Sequence, residues 1–344
     1  MRLLAEDIDG PISGGWDATT RRRRTNTTTV RGECRPLDDG RVIPFRPGPL
    51  PPRYEYLGPI GAGGMGSVCS VHDLYLLRCV AMKFLAREAA RNPDHVRRFV
   101  REAQITADLE HPNVIPVYDW GTDDDGNHFF TMKRVDGRTL AEWIDGVGQP
   151  AREPAVFEEM LFALVKICDG LAFAHSRGVL HCDIKPENIM VGSHGQAYLM
   201  DWGVARACNE RPAGGWLPAE IPAVGDPAPS VFRGALNGTP SFMAPEQAFG
   251  YMHLVDERTD VFGLGTVLFT ILTGRPPFQG CDIGAVLLEA RVCAVSFSCA
   301  GADGALAARL REVALRAMAR APGDRYQSVV ELQCALQDAI DSAR

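Results

Sequence analysis

His181-Cys182-Asp183-Ile184-Lys185-Pro186-Glu187-Asn188 is the stretch on which the reading of this chain turns. It sets out a carboxylate, an ammonium and a carboxamide within six residues, from Asp183 to Asn188. Asp183 can accept a proton from a hydroxyl, Lys185 can neutralise charge on a phosphoryl group in transit, and Asn188 can offer an amide oxygen to a hard divalent cation. Turn-forming Asp and Asn occur in any loop, but a turn needs neither the lysine nor the spacing.

Working outward, Asp201-Trp202-Gly203 follows the apolar, strand-like run Ala197-Tyr198-Leu199-Met200, which puts a second oxygen ligand for a cation at a strand end. Upstream, Gly61-Ala62-Gly63-Gly64-Met65-Gly66-Ser67-Val68 has the pattern G-x-G-x-x-G-x-V. Glycines there let backbone N–H groups approach phosphate oxygens with no Cβ in the way. Alone, the pattern also fits a flexible turn or a dinucleotide fingerprint, but the latter opens a helix, whereas Ser67 to Val71 continues as strand and predicts a hairpin lid over a nucleotide. Lys83, in the apolar strand Val80-Ala81-Met82-Lys83, must either reach water or meet an anion. Glu102 sits beside the inward face of the next helix, three residues from Phe99 and from Ile105, where it can hold that ammonium. Downstream come Gly238-Thr239-Pro240, Ala244-Pro245-Glu246, Asp260 at the head of an apolar helix, and Arg325 in a polar turn.

The surroundings fix the architecture. Residues 1–53 hold few large apolar side chains, the run Arg21 to Arg24, a threonine cluster and the Pro-rich IPFRPGPLPP; this reads as a disordered tail joined to a stiff linker. From Tyr54 short β-rich runs predict an antiparallel sheet, and Asn92-Pro93 predicts the N-cap and first position of an amphipathic helix. Strands are expected near Val114 to Gly121 and His128 to Val135, then helices over 155–176, 259–273, 305–319 and 326–341. Residues 208–236, with five prolines and four glycines, read as a long mobile loop. The expected fold is α+β and bilobal: a small β-rich lobe at 54–135 with one helix, and a larger helical lobe at 136–340.

Composition excludes several alternatives. The net charge of −7 provides no general basic field, so nucleic acid is not an expected partner. The longest uncharged apolar run, Val261 to Leu272, is 12 residues, short of the roughly 20 that span a membrane. Ten cysteines without a C-x-x-C pair read as reduced thiols, and the expected location is the cytoplasm, off the membrane.

On these motifs, residues 54 to 340 resemble the protein kinase superfamily, and the Asp-Ile-Lys-Pro-Glu-Asn loop resembles its serine/threonine branch in bacteria. The resemblance implies ATP and Mg²⁺ as cofactors and protein serine or threonine hydroxyls as acceptors. By it, Gly61, Ala62, Gly63, Gly64, Met65, Gly66, Val68, Ala81, Lys83 and Glu102 serve the nucleotide, with Met132 as gatekeeper and Lys133 to Val135 as the hinge at the adenine. Asp183 and Lys185 are catalytic, and Asn188 and Asp201 are metal ligands. Thr239 lies near Asp183 and Lys185, Glu246 pairs with Arg325, and Asp260 braces the catalytic loop. Two residues depart from the pattern: Trp202 replaces phenylalanine, and Cys182 replaces the arginine that reads a loop phosphate, which implies an active state independent of phosphorylation. The rival readings are a scaffold that keeps the fold without turnover and a small-molecule kinase on the same fold. The full set Lys83, Glu102, Asp183, Asn188 and Asp201 argues against the first, and the Thr239 to Glu246 platform against the second.

The tail generates one expectation of its own. Residues 1–53 carry a net +3, which leaves −10 on the remainder, so the threonines flanking Arg21 to Arg24 are drawn to the kinase surface. Autophosphorylation is expected within residues 19–29. Mass spectrometry after incubation with Mg-ATP checks it: phosphate found only beyond residue 53 contradicts it.

Overall fold

The computed structural model describes residues 50–63, 66–123, 125–148, 153–207, 239–293, 295, 297 and 304–342. Residues 1–49, Gly64, Met65 and the Pro/Gly stretch at 208–236 lie outside them, and so does what was expected of those residues; of the expected linker, 50–53 are described, and Arg53 is tied to the small lobe by ion pairs with Asp73 and Asp119.

The N-terminal lobe is a five-stranded antiparallel sheet of β1 (Tyr54–Gly63), β2 (Gly66–Asp73), β3 (Arg78–Leu85), β4 (Val117–Thr122) and β5 (His128–Lys133), ordered β1-β2-β3-β5-β4. Strand β4 begins three residues later than expected. Pro116 denies the ladder a donor, and Val114 makes only a single bridge to Leu199. A short helix α1 (Arg87–Ala90) leads into α2 (Pro93–Asp108). The Asn92 side chain caps α2 by accepting from Asp94 N–H, with proline in the first turn, as the sequence predicts. Phe99 and Ala103 of α2 bury themselves against Leu85 and Phe130 of the sheet, which turns Glu102 inward.

After the small strand β6 (Gly137–Thr139), helices α3 (Leu140–Val147) and α4 (Pro154–Ser176) open the larger lobe. Three short pieces, β7 (Val179–Leu180), β8 (Ile189–Gly192) and β9 (Ala197–Leu199), carry the motif loops, and β10 (Arg206–Ala207) pairs with β7. Helices α5 (Pro245–Phe249), α6 (Glu257–Thr273), α7 (Ile283–Val292), α8 (Ala305–Ala317) and α9 (Val329–Asp341) follow. Every residue of α6 from Thr259 to Leu272 is buried, so its apolar run is a core helix wrapped by α4, α8 and α9. Among the described residues, no helix is long and apolar enough to cross a membrane.

Several helices differ from expectation, among them α3 and α5, which lie where none was expected. Helix α9 starts at Val329, not 326, because Ser328 caps it by accepting from Glu331 N–H. Helix α7 was not anticipated: Ile283, Leu288 and Val292 lie exposed, so its apolar residues trace no single stripe.

Candidate active site

The cleft between the lobes is lined by loops whose backbones are held from below. Asp260, buried at the head of α6, accepts from His181 N–H and Cys182 N–H at 2.8 Å each and contacts the buried His175 ring at 2.8 Å. These bonds hold Cys182 at φ +64, in the left-handed region that a residue with a Cβ enters only when its surroundings impose it. Asp183 follows. Its carboxylate meets Lys185 Nζ at 2.9 Å, and Lys185 also donates to Thr239 Oγ1 at 2.8 Å. Carboxylate, ammonium and platform threonine thus share one spot.

Met200 N–H donates to the Asn188 carbonyl at 2.9 Å, which brings Asp201 alongside Asn188. The Asn188 amide nitrogen donates to the Asp183 carbonyl and carboxylate at 2.8 and 3.2 Å, leaving its oxygen to face elsewhere. Asp201, itself at φ +62, approaches Lys83 Nζ to 3.8 Å, and Lys83 donates to Glu102 Oε1 at 2.5 Å. Burial opposes charge on Lys83, but Glu102 and Asp201 outweigh it and hold the ammonium above its ordinary pKa. Burial likewise works against Asp201, yet Lys83, His181 and Lys185 prevail and keep its carboxyl below the usual range. It is therefore ionised at neutral pH.

The glycines are accounted for by what surrounds them. A Cβ on Gly66 would lie 1.9 Å from the Phe84 carbonyl oxygen, so that position is closed by packing. Among the described residues, a Cβ on Gly61 or Gly63 would meet no atom within 4 Å, so their packing explains neither. That open backbone over a cationic Lys83 fits a phosphate chain. Gly203 is held small by Asp201 and Glu102, whose oxygens would stand 3.1 and 3.2 Å from its Cβ. A metal is the other implied group: among the described residues no group of three or more His, Cys, Asp or Glu is arranged to hold a metal ion. The free amide oxygen of Asn188 and the ionised Asp201 instead offer hard oxygen donors, a set suited to a cation that keeps most of its ligands from water and phosphate, as Mg²⁺ does.

The remaining expected residues sit as follows. Ala81 pairs with Met132 across the sheet, Val68 pairs with Lys83, and Lys133 N–H donates to the Pro116 carbonyl. The Lys133 ammonium lies over the Tyr198 ring, 4.9 Å from its centroid, and Val135 flanks Gly192. Glu246 and Arg325 form a buried two-pronged pair at 2.8 Å on both arms, and Thr259 adds a third bond to Glu246 at 2.7 Å. Trp202 is fully buried, edge-on to His181 at 4.7 Å. The Cys182 thiol is pushed well up by burial and stays neutral. Arg206, paired with Leu180 across the β10–β7 ladder, acts electrostatically on both that thiol and Arg101. Two residues were not singled out from sequence. His175 lies four residues after Leu171 on the buried face of α4, and Gln247 directly follows Ala-Pro-Glu; each looked like an ordinary core or cap residue.

The protein kinase domain family matches residues 54–296. Among curated proteins, the chain is similar to the serine/threonine-protein kinase PknB of Mycolicibacterium smegmatis, at 37% identity over 294 residues, 83% of this chain and 43% of that protein. It is also similar to PknB of Mycobacterium tuberculosis, at 35% over 294 residues (84% and 43%), and to PrkC of Bacillus subtilis, at 32% over 292 residues (85% and 41%). The chain spans less than half the length of these relatives.

The Lys83–Glu102 contact predicts a measurable coupling. Lys83→Met should lower kcat by roughly 10²-fold, the scale for losing one preorganised charge contact in a transition state. Glu102→Gln should act in the same direction, and the double variant should lose less than the product of the two. Steady-state kinetics check this: Lys83→Met activity within twofold of wild type would make Lys83 an ordinary edge lysine.

Proposed function

The chain belongs to the protein kinase domain family, and from that premise we propose that it moves the γ-phosphoryl group of ATP onto serine and threonine hydroxyls of proteins. The observation that carries the reading is the convergence of Asp183, Lys185 and Thr239 on one side of the cleft with Lys83, Glu102 and Asp201 on the other. An acceptor hydroxyl beside Asp183 attacks the γ-phosphorus, its proton passes to the Asp183 carboxylate, and the bond to the bridging oxygen of the leaving diphosphate breaks. Lys185 stands where negative charge gathers on the transferring group. Lys83, anchored by Glu102, orients the α- and β-phosphates, and the open backbone at Gly61 and Gly63 leaves room for them.

Asn188 and Asp201 are the residues that would hold Mg²⁺, which would supply positive charge to offset that of the phosphates. Their own work is to present oxygen donors side by side, with the Met200–Asn188 backbone bond tying the two segments together. Met132 and Lys133 to Val135, at the end of β5, are placed to line the adenine side. The domain is taken to run over 54–340, since α8 and α9 share one core with α4 and α6. Proteins are the acceptors favoured by the Thr239 to Glu246 platform, and neither nucleic acid nor a membrane is required by any of these contacts.

The test is Asp201→Asn in the full chain. It keeps the side-chain volume and removes the charge, so Mg²⁺-dependent phosphate transfer to a generic basic protein should vanish while the thermal melting temperature stays within a few degrees of wild type. Undiminished Mg²⁺-dependent transfer would contradict the metal assignment.

A further inference from the structure

Cys182 lies immediately before Asp183, and its φ of +64 makes it one of four described non-glycine residues with positive φ. Its buried thiol is neutral, so polar anchoring of this residue falls to its backbone. One end is held by Asp260, whose Oδ1 accepts from Cys182 N–H at 2.8 Å. The other end is held from a different element: Gln247 Nε2 on α5 donates to the Cys182 carbonyl at 2.7 Å. The same carboxamide accepts from Ala244 N–H through Oε1 at 3.1 Å. One side chain therefore joins the catalytic loop to the turn on which the substrate platform ends. Gln247 has a rigid base for this, because the preceding residue, Glu246, is fixed by Arg325 and Thr259.

We infer that Gln247 is a positioning residue for phosphoryl transfer: it holds the Cys182 peptide in its left-handed turn and so aims Asp183 at the hydroxyl presented on the platform. The inference rests on the kinase reading above. The role demands a donor and an acceptor at once, which a carboxamide supplies and neither an aliphatic side chain nor an ionised carboxylate does. A small cleft lined by Cys182, Asp183, Thr239, Gln247 and Asp260 lies at this junction, so a slackened bond there leaves room for the loop to shift. The charged groups around position 247 are Glu246 with its partner Arg325, Asp260, Asp183 with Lys185, Arg291 of α7, which donates to the Ala248 carbonyl, and Arg206, which acts on Cys182.

The experiment uses the full chain, with ATP and myelin basic protein as the acceptor probe. Gln247→Leu removes both bonds and should lower kcat about tenfold, with KM for ATP changed less than twofold. Gln247→Glu isolates the donated bond, since an ionised carboxylate can still accept from Ala244 N–H but repels the Cys182 carbonyl. At pH 8 it should also lose about tenfold. Once protonated, the carboxyl can donate again. Its pKa should lie above the ordinary glutamate value of about 4.3, because burial disfavours the charge and only the protonated carboxyl can donate to the Cys182 carbonyl, while Arg325 and Lys185 are already engaged by Glu246 and Asp183. The ratio of its kcat to that of wild type should therefore climb as pH falls from 8 to 5.5. A purely structural role would lower the melting temperature without giving that slope. A flat ratio, or Gln247→Leu within twofold of wild-type kcat, overturns the inference, and Gln247→Glu carries the test if the leucine variant fails to fold. A wild-type chain inactive on the probe would instead overturn the kinase reading itself, and the inference with it.

Discussion

The carboxylate of Asp260 touches no substrate, yet the catalytic side of the molecule depends on it. It lies inside the core helix α6 and is 1% exposed, where an unpartnered charge would cost several kcal/mol. Two backbone N–H groups of the catalytic loop and the His175 ring take up that charge. Burial works to raise its pKa, but these partners prevail and hold it below the ordinary carboxylate value. A group depressed in this way stabilises the fold above its unfolded pKa of about 3.9 and loses that contribution as pH falls through the folded value. Closing the core and docking the catalytic loop are thus one event, and the loop inherits the stability of the helix beneath it.

From that clamp the site extends in two directions. Along the chain, the imposed turn at Cys182 sets Asp183 against Lys185 and Thr239, and the Asn188–Met200 bond carries the order on to Asp201. Across the cleft, Asp201 reaches Lys83, which Glu102 secures from α2. Placement of the small lobe's helix is therefore read directly in the charge around Lys83. The platform side has its own fixed point in the Glu246–Arg325 pair, whose arginine side chain is wholly enclosed. Breaking such a buried pair by removing one partner costs about 3–5 kcal/mol, whereas the exposed Arg87–Asp125 contact is worth at most about 1 kcal/mol. The interior pair, not the surface ones, governs whether the platform stays in place.

Much of this was legible in the sequence because the chemistry demands unusual residue types at fixed intervals. Lys83 on an apolar strand and Glu102 beside a helix's inward stripe are each costly unless partnered, so they pointed to each other, whereas the bracing role of Asp260 came from the family resemblance. The hairpin reading of the glycine loop followed from the strand after it, and the register of Gly63 opposite Gly66 agrees. What escaped were features whose energetics are tertiary. Helix α7 has no clean stripe, since its inner face is narrow: Leu287 and Ala290 are its buried residues. His175 looked like any histidine on a buried helix face, and Gln247 like a cap; their roles exist only once α4, α5 and α6 meet the catalytic loop. The start of α9 was misplaced because Tyr326 is buried ahead of the helix, which mimics helical periodicity.

The catalytic loop is rigid because Asp260 holds it. Amide hydrogen exchange on the native full chain tests this directly. The backbone amides of His181 and Cys182 lie outside any helix or named strand, so as ordinary loop amides they would exchange quickly. Held by Asp260, they should instead be protected to the same degree as Val267 and Leu268 in the middle of α6. Exchange of the His181 and Cys182 amides at exposed-loop rates, while Val267 and Leu268 remain protected, would contradict it.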